Sequence, residues 1–146
     1  MSDSERPSST VSLNWQGGFR FDSHDSHGHS LTLDAPQGDG ARFEGFMPGD
    51  MLLSALAGCS GIDVVNILER MRQKVEGIEI SVKGHQNPEP PWTWEDIHLH
   101  YTIHGSGLKD HLVRRAINLS ENKYCSIGAT VSGRARITSD FDIVEA

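Results

Sequence analysis

The run PGDMLLSALAGCSGIDVVNILERMRQK, from Pro48 to Lys74, restricts this chain more than any other stretch. Pro48 suits a first helical turn, where its missing N–H leaves nothing unpaired. Asp50 follows in that turn, where a carboxylate complements the helix dipole. From Met51 to Cys59 the run is apolar almost all round, which predicts burial on nearly every side. Beyond it, Ile62, Val65, Leu68 and Met71 predict an apolar stripe, with Glu69, Arg70, Arg72 and Gln73 facing water. The predicted helix spans roughly 40 Å at the usual rise per residue. Gly58 and Gly61 flank the cysteine turn, each weakening the helix by about 1 kcal/mol relative to Ala. They are expected where a neighbour or a substrate comes close to Cys59.

The rest of the chain must cover that helix. Val11, Leu13 and Trp15 alternate, Gly17-Gly18 marks a turn, and Phe19 and Phe21 alternate again. SHDSHGHS reads as a polar turn, Leu31, Leu33 and Ala35 as a third strand, and residues 36–46 as a loop. Ile78, Ile80 and Val82 form a half-buried strand. Pro88, Pro90 and Pro91 exclude regular structure from NPEPPWTWED. Ile97, Leu99, Tyr101 and Ile103 alternate with His98, His100, Thr102 and His104 in another strand. Leu108, Leu112, Ala116 and Leu119 predict a second helix, and Ala135, Ile137, Phe141 and Ile143 a last strand. The order predicts an α+β fold, with antiparallel sheet packed on a long central helix. Residues 1–10 read as a disordered tail, and residues 11–146 as a single domain, since a chain of 146 residues can bury a real core.

The formal net charge of −7 argues against nucleic acid as a partner, because phosphate binding needs a basic surface. Asp50, Ser60 and Asp63 interrupt the apolar run, so no membrane partner is expected. MSDSERPSST lacks an apolar h-region and is not a secretory signal. The expected location is cytoplasmic, a compartment where structural disulfides are rare.

In that compartment the two cysteines are either inert core residues or chemically active ones. Cys59 lies in the apolar helix, and Cys125, 66 residues later, follows the second helix. The spacing builds neither a CxxC hairpin nor a compact zinc knuckle. Free Cys often acts as a small buried hydrophobe. The active alternative is a redox pair joined by folding. A thiolate attacks a peroxide O–O bond and becomes a sulfenic acid, and a second thiol condenses with it to a disulfide. Candidates for the positive charge such a thiolate needs are Arg20, Arg114 and Arg115.

Three segments carry a resemblance: LNWQGGFRF with GHSLTLDAP, the run from Pro48 through CSGIDVVNILERMRQ, and GLKDHLVRRAINLSENKYCSIGATV from Gly107. Together they resemble the OsmC/Ohr family of bacterial peroxide-resistance proteins, over nearly all of Val11 to Val144. CSGIDVVNIL and LSENKYCSIG are most similar to a less-characterised OsmC-like branch. The resemblance implies an intertwined α+β homodimer, with antiparallel sheets around two long central helices and active sites at the subunit interface. It implies thiol-dependent reduction of organic hydroperoxides, with Cys59 peroxidatic and Cys125 resolving. It implies an activating acid at the start of the first helix, here Asp50, and an Arg from the N-terminal hairpin, here Arg20. The implied partners are an organic hydroperoxide and a dithiol reductant of the lipoylated-protein or thioredoxin type; no cofactor is implied. The alternative is a non-enzymatic protein that binds a ligand or senses oxidants through the same cysteine pocket.

Other clusters read more plainly. His24, His27 and His29 with Asp25 form HDxHxH, a metal-ligand pattern that is read here as a solvated hairpin turn. His98, His100 and His104 share a strand face and predict a pH-sensitive patch. Asp63, four residues beyond Cys59, falls on the same helical face. A carboxylate there disfavours a thiolate, so its expected role is structural. Trp92 and Trp94 are expected to anchor the proline loop.

Overall fold

The computed structural model describes residues 6–146; of the tail expected over residues 1–10, residues 1–5 lie outside the described residues and residues 6–10 are exposed and form neither helix nor strand. The chain forms two compact units, Met1–Met51 and Leu52–Ala146.

The first unit is a meander. Strands β1 (Val11–Trp15), β2 (Phe21–Asp25) and β3 (Ser30–Leu33) pair antiparallel in that order. Gly17 and Gly18 turn the chain between β1 and β2 with positive φ, a conformation glycine adopts without steric cost. The polar SHDSHGHS segment is only partly a turn, because Ser23, His24 and Asp25 extend β2. Asp25 closes the turn: its Oδ1 accepts the backbone N–H groups of His27 (2.9 Å) and His29 (2.8 Å). Its Oδ2 meets His29 Nδ1 at 2.8 Å. The histidine cluster is thereby given a turn-building explanation. Trp15 is 66% exposed and Leu13 46%, so the apolar side of the meander is bare in the isolated chain.

Helix α1 (Pro48–Arg70) begins at the end of this unit and runs through the second. It stops short of Lys74 for a backbone reason. Arg72 takes φ 58°, and Gln73 N–H reaches Leu68 O at 2.9 Å. That is a Schellman closure built on a left-handed residue other than glycine. Burial on every side does not occur. Leu56, Ser60, Val64 and Leu68 form the buried stripe, a strict i,i+4 series, whereas Ile62 is 73% exposed and Val65 37%. The helix is apolar on two faces, and among the described residues Ile62 and Val65 of the second face stay exposed. By length and hydropathy α1 also passes for a membrane span, in spite of the polar residues Asp50, Ser60 and Asp63 within it. Its buried stripe makes it a core helix instead.

In the second unit, β4 (Lys74–Gln86) pairs antiparallel with β5 (Trp94–Ser106). Strand β6 (Arg136–Glu145) pairs parallel with β5, where alternation alone suggests another antiparallel neighbour. The reversal follows from the connection: α2 (Asp110–Leu119), a π-helical turn (Ser120–Tyr124) and α3 (Ser126–Val131) carry the chain back before β6 begins. A crossover of that length permits a parallel pair. Ile97, Leu99, Tyr101 and Ile103 of β5 are buried against Leu56, Val64 and Leu68 of α1 and Val113, Ala116 and Ile117 of α2. Gly61 allows the close approach of α1 to the sheet, since a Cβ there would sit 2.9 Å from Ile80 Cδ1. Gly58 has open space at the same point and plays no such part.

Candidate functional site

The second unit joins the two cysteines. Cys59 Sγ, Cys125 Sγ and a carboxylate oxygen of Asp63 all lie within 4.8 Å of one another. Cys59 and Asp63 are presented together because a spacing of four places both on one helical face. Cys125 arrives through the π-helical turn, whose wide i→i+5 ring closes with Cys125 N–H on Ser120 O at 2.8 Å. Such turns re-aim side chains within helical segments. Here Ser120 and Cys125 both face Asp63.

Both cysteines are free thiols, but their surroundings differ. Cys59 is half-buried, whereas Cys125 is 4% exposed. Burial pushes the Cys125 thiol above its ordinary pKa, and its S–H hydrogen bond to Cys59 and the nearby Asp63 push it further the same way. The N–H of Gly128 on Cys125 Sγ, at 3.2 Å, opposes them. Cys125 is therefore a protonated thiol that donates toward the Cys59 sulfur. Gly128 belongs to this packing, because a Cβ there would stand 3.2 Å from Cys125 Sγ.

A buried chain of hydroxyls supports Asp63. Ser120 Oγ donates to Asp63 Oδ2 at 3.0 Å, Ser60 Oγ lies 2.9 Å from Ser120 Oγ, and Tyr101 OH lies 2.5 Å from Ser60 Oγ. A carboxylate only accepts, so the proton of Ser120 goes to Asp63. Ser60 must then donate to Ser120, and Tyr101 to Ser60. All three hydroxyls point their protons toward Asp63. Burial raises the Tyr101 pKa to about 12, against the hydrogen bond to Ser60, so the phenol stays a donor.

Beside Cys125 is a cavity of about 250 Å³, lined by Cys125, Leu56, Leu99, Ile137, Tyr101 and Glu121 among others. Glu121 Oε1 is buried there with no hydrogen-bond partner among the described residues.

The other two sequence candidates sit differently. Asp50 is exposed in the first turn of α1. Nine residues separate it from Cys59, which is about 13 Å along a helix axis. Arg20, in the first unit, meets Glu44 at 3.1 Å and Asp22 at 3.6 Å. Ser60, Tyr101, Ser120 and Glu121 are not singled out by sequence. Ser60 has a signal, as a polar residue inside an apolar run next to Cys59, while the others have none.

Comparison with known proteins places these features in context. The sequence model of the OsmC-like protein family matches residues 38–140. Protein YhfA of Escherichia coli (strain K12) is 36% identical over 134 residues, covering 92% of this chain and 97% of that protein. The crystal structure of a hypothetical protein from Aquifex aeolicus VF5 is 28% identical, with TM-score 0.81, over 95% of this chain and 99% of that one. An organic hydroperoxide resistance protein OsmC from Legionella pneumophila shares the fold at 12% identity, with TM-score 0.68, over 93% of this chain and 97% of that one.

Proposed function

Because the chain belongs to the OsmC-like protein family, we propose that it reduces organic hydroperoxides through Cys59 and Cys125. The observation that carries this reading is the meeting of two sulfurs, 66 residues apart in sequence, within 4.8 Å. Cys59 is the attacking residue, being the less buried and the one that receives the Cys125 S–H. Its thiolate takes the distal peroxide oxygen, the O–O bond breaks, and the alkoxide leaves as the alcohol after protonation. Cys59 sulfenic acid then condenses with the Cys125 thiol, forming the S–S bond and releasing water. A dithiol reductant, of the lipoylated-protein or thioredoxin type, reopens the disulfide and is itself oxidised.

Leu56, Leu99 and Ile137 line the cavity beside Cys125, which favours a peroxide with an apolar body over hydrogen peroxide. The name of the Legionella pneumophila protein agrees with that substrate class. Arg20 and Asp50 take the activating roles that the family resemblance gives them. The active form is a homodimer, supported by the bare apolar groups Trp15 and Ile62. The cytoplasm, which keeps dithiols reduced, is its place of action.

The test is consumption of cumene hydroperoxide with a dithiol reductant, by wild type and Cys59→Ser. Turnover that depends on Cys59 supports the reading, and its absence overturns it. A second reading, non-enzymatic sensing of oxidants, is favoured by one observation: Arg20 is already engaged by Glu44 and Asp22. Stoichiometric oxidation of the pair without turnover identifies it.

A further inference from the structure

The groups at the sulfur site are metal ligands as well as redox groups. Two sulfurs and one carboxylate oxygen, all mutually within 4.8 Å, come from Cys59 and Asp63 on α1 and from Cys125 after the π-helical turn. In a tetrahedral zinc site, bonds of about 2.3 Å to sulfur and about 2.1 Å to oxygen set ligand spacings of roughly 3.5–3.8 Å. Drawing these three atoms onto one ion therefore takes a contraction of at most about 1.3 Å in any one spacing, within reach of side-chain rotation.

Three further features point the same way. Ser120 donates to Asp63 Oδ2, an outer hydrogen bond that fixes the orientation of the carboxylate. Glu121, which lines the same cavity as Cys125, keeps a buried carboxylate oxygen without a donor among the described residues. Buried carboxylate oxygens demand a donor or a cation, and an ion at Cys125 supplies the charge. Finally, three protein ligands leave a fourth position, and the adjoining cavity of about 250 Å³ has room for water or a small ligand in it. Open three-ligand sites are the pattern of exchangeable or reactive zinc, not of closed structural sites.

We infer that Cys59, Cys125 and Asp63 of the reduced protein bind one thiophilic divalent cation of the zinc class. Binding exchanges two S–H protons for the ion, so two protons leave for each cation taken up. Oxidation of the pair to a disulfide removes both thiolates, so occupancy and the disulfide exclude each other. That last clause rests on the peroxidase reading, whereas the binding itself does not.

The experiment uses the full-length, reduced protein under anaerobic conditions. Cobalt(II) is added as a spectroscopic probe, and zinc is then titrated in to displace it. The expected result is one ion per chain, an intense thiolate-to-cobalt charge-transfer band, and release of about two protons per ion. Cys59→Ser and Cys125→Ser should each weaken binding at least about tenfold, and Asp63→Asn by about tenfold. His27→Ala and His29→Ala should leave it unchanged. Since a variant can fail to fold, a second measurement uses wild type alone: alkylation of the thiols with and without saturating zinc, expected to slow at least about tenfold. No charge-transfer band, or one whose intensity and apparent affinity are unchanged by loss of either cysteine, overturns the inference; so does an alkylation rate indifferent to zinc. A protein that binds cobalt in this way but does not turn over hydroperoxide overturns the peroxidase reading alone, and the converse overturns this inference alone.

Discussion

Tyr101 of β5 and Ser60 of α1 share a hydrogen bond of 2.5 Å at a place where neither meets solvent. The bond begins the relay that ends on Asp63, so it ties the sheet to the helix that carries Cys59. Removing Ser60 Oγ leaves the Tyr101 phenol buried without an acceptor. Ser60→Ala should therefore cost about 1–3 kcal/mol, and Tyr101→Phe, which leaves Ser60 bonded to Ser120, about 1 kcal/mol. Urea unfolding of both variants checks the order, and equal costs would contradict the relay.

Cys125→Ser should stop cycling while sparing the first attack. With the resolving thiol gone, Cys59 sulfenic acid has no partner and accumulates. A sulfenic-acid-selective nucleophile should label Cys59 in this variant after one addition of hydroperoxide. Wild type should show little label. Equal labelling in the two proteins would mean that Cys125 does not resolve.

The outer face of β5 carries a charge cluster set to respond to pH. His100 lies 2.7 Å from Asp140 and 3.1 Å from Asp142, and His98 lies 2.8 Å from Asp140 and 2.6 Å from Thr138. The hydrogen bond to Asp140 raises the pKa of His100 above 6.5, and the reciprocal bonds from His100 and His98 lower that of Asp140 below 3.8. The raised histidine contributes stability that is complete below its unfolded value and is lost as pH rises through the folded one. The lowered carboxylate contributes stability that is complete above its unfolded value and is lost as pH falls through the folded one. Both contributions are complete between 3.8 and 6.5, the ordinary values of the two groups. NMR titration should find His100 titrating above 6.5 in wild type, and lower in Asp140→Asn. A His100 titration unchanged by that substitution would contradict the pairing.

The two apolar faces of α1 should answer differently to substitution. Leu68 is fully buried, so Leu68→Ala should cost about 2–5 kcal/mol through the cavity it leaves. Ile62 is 73% exposed in the single chain. If that face meets a second copy, Ile62→Lys should give a monomer by light scattering with its circular dichroism unchanged. A variant that keeps the mass of wild type would remove this helix face from the dimer.

Much of the fold can be read from alternation and from Pro48. The β5 core residues Ile97, Leu99, Tyr101 and Ile103 occupy the positions their period predicts. Two things escape that reading. Period fixes which face a strand buries but not its direction, so the parallel partner of β5 has no local signal. The composition of α1 counts apolar residues without saying what covers them, so the buried stripe falls on Leu56, Ser60, Val64 and Leu68, not on Ile62 and Val65. At the site, Cys59 and Asp63 are legible together because one helix sets their spacing. Tyr101 and Ser120 are not, because each meets α1 only through tertiary packing.

The most direct test of the cysteine pair is peptide mapping of the reduced, full-length protein after one equivalent of cumene hydroperoxide. A peptide joining Cys59 to Cys125, lighter by two hydrogens than the separate thiol peptides and restored by a dithiol, is the result the geometry predicts. Cys59 driven on to sulfinic acid while Cys125 stays a free thiol would contradict it.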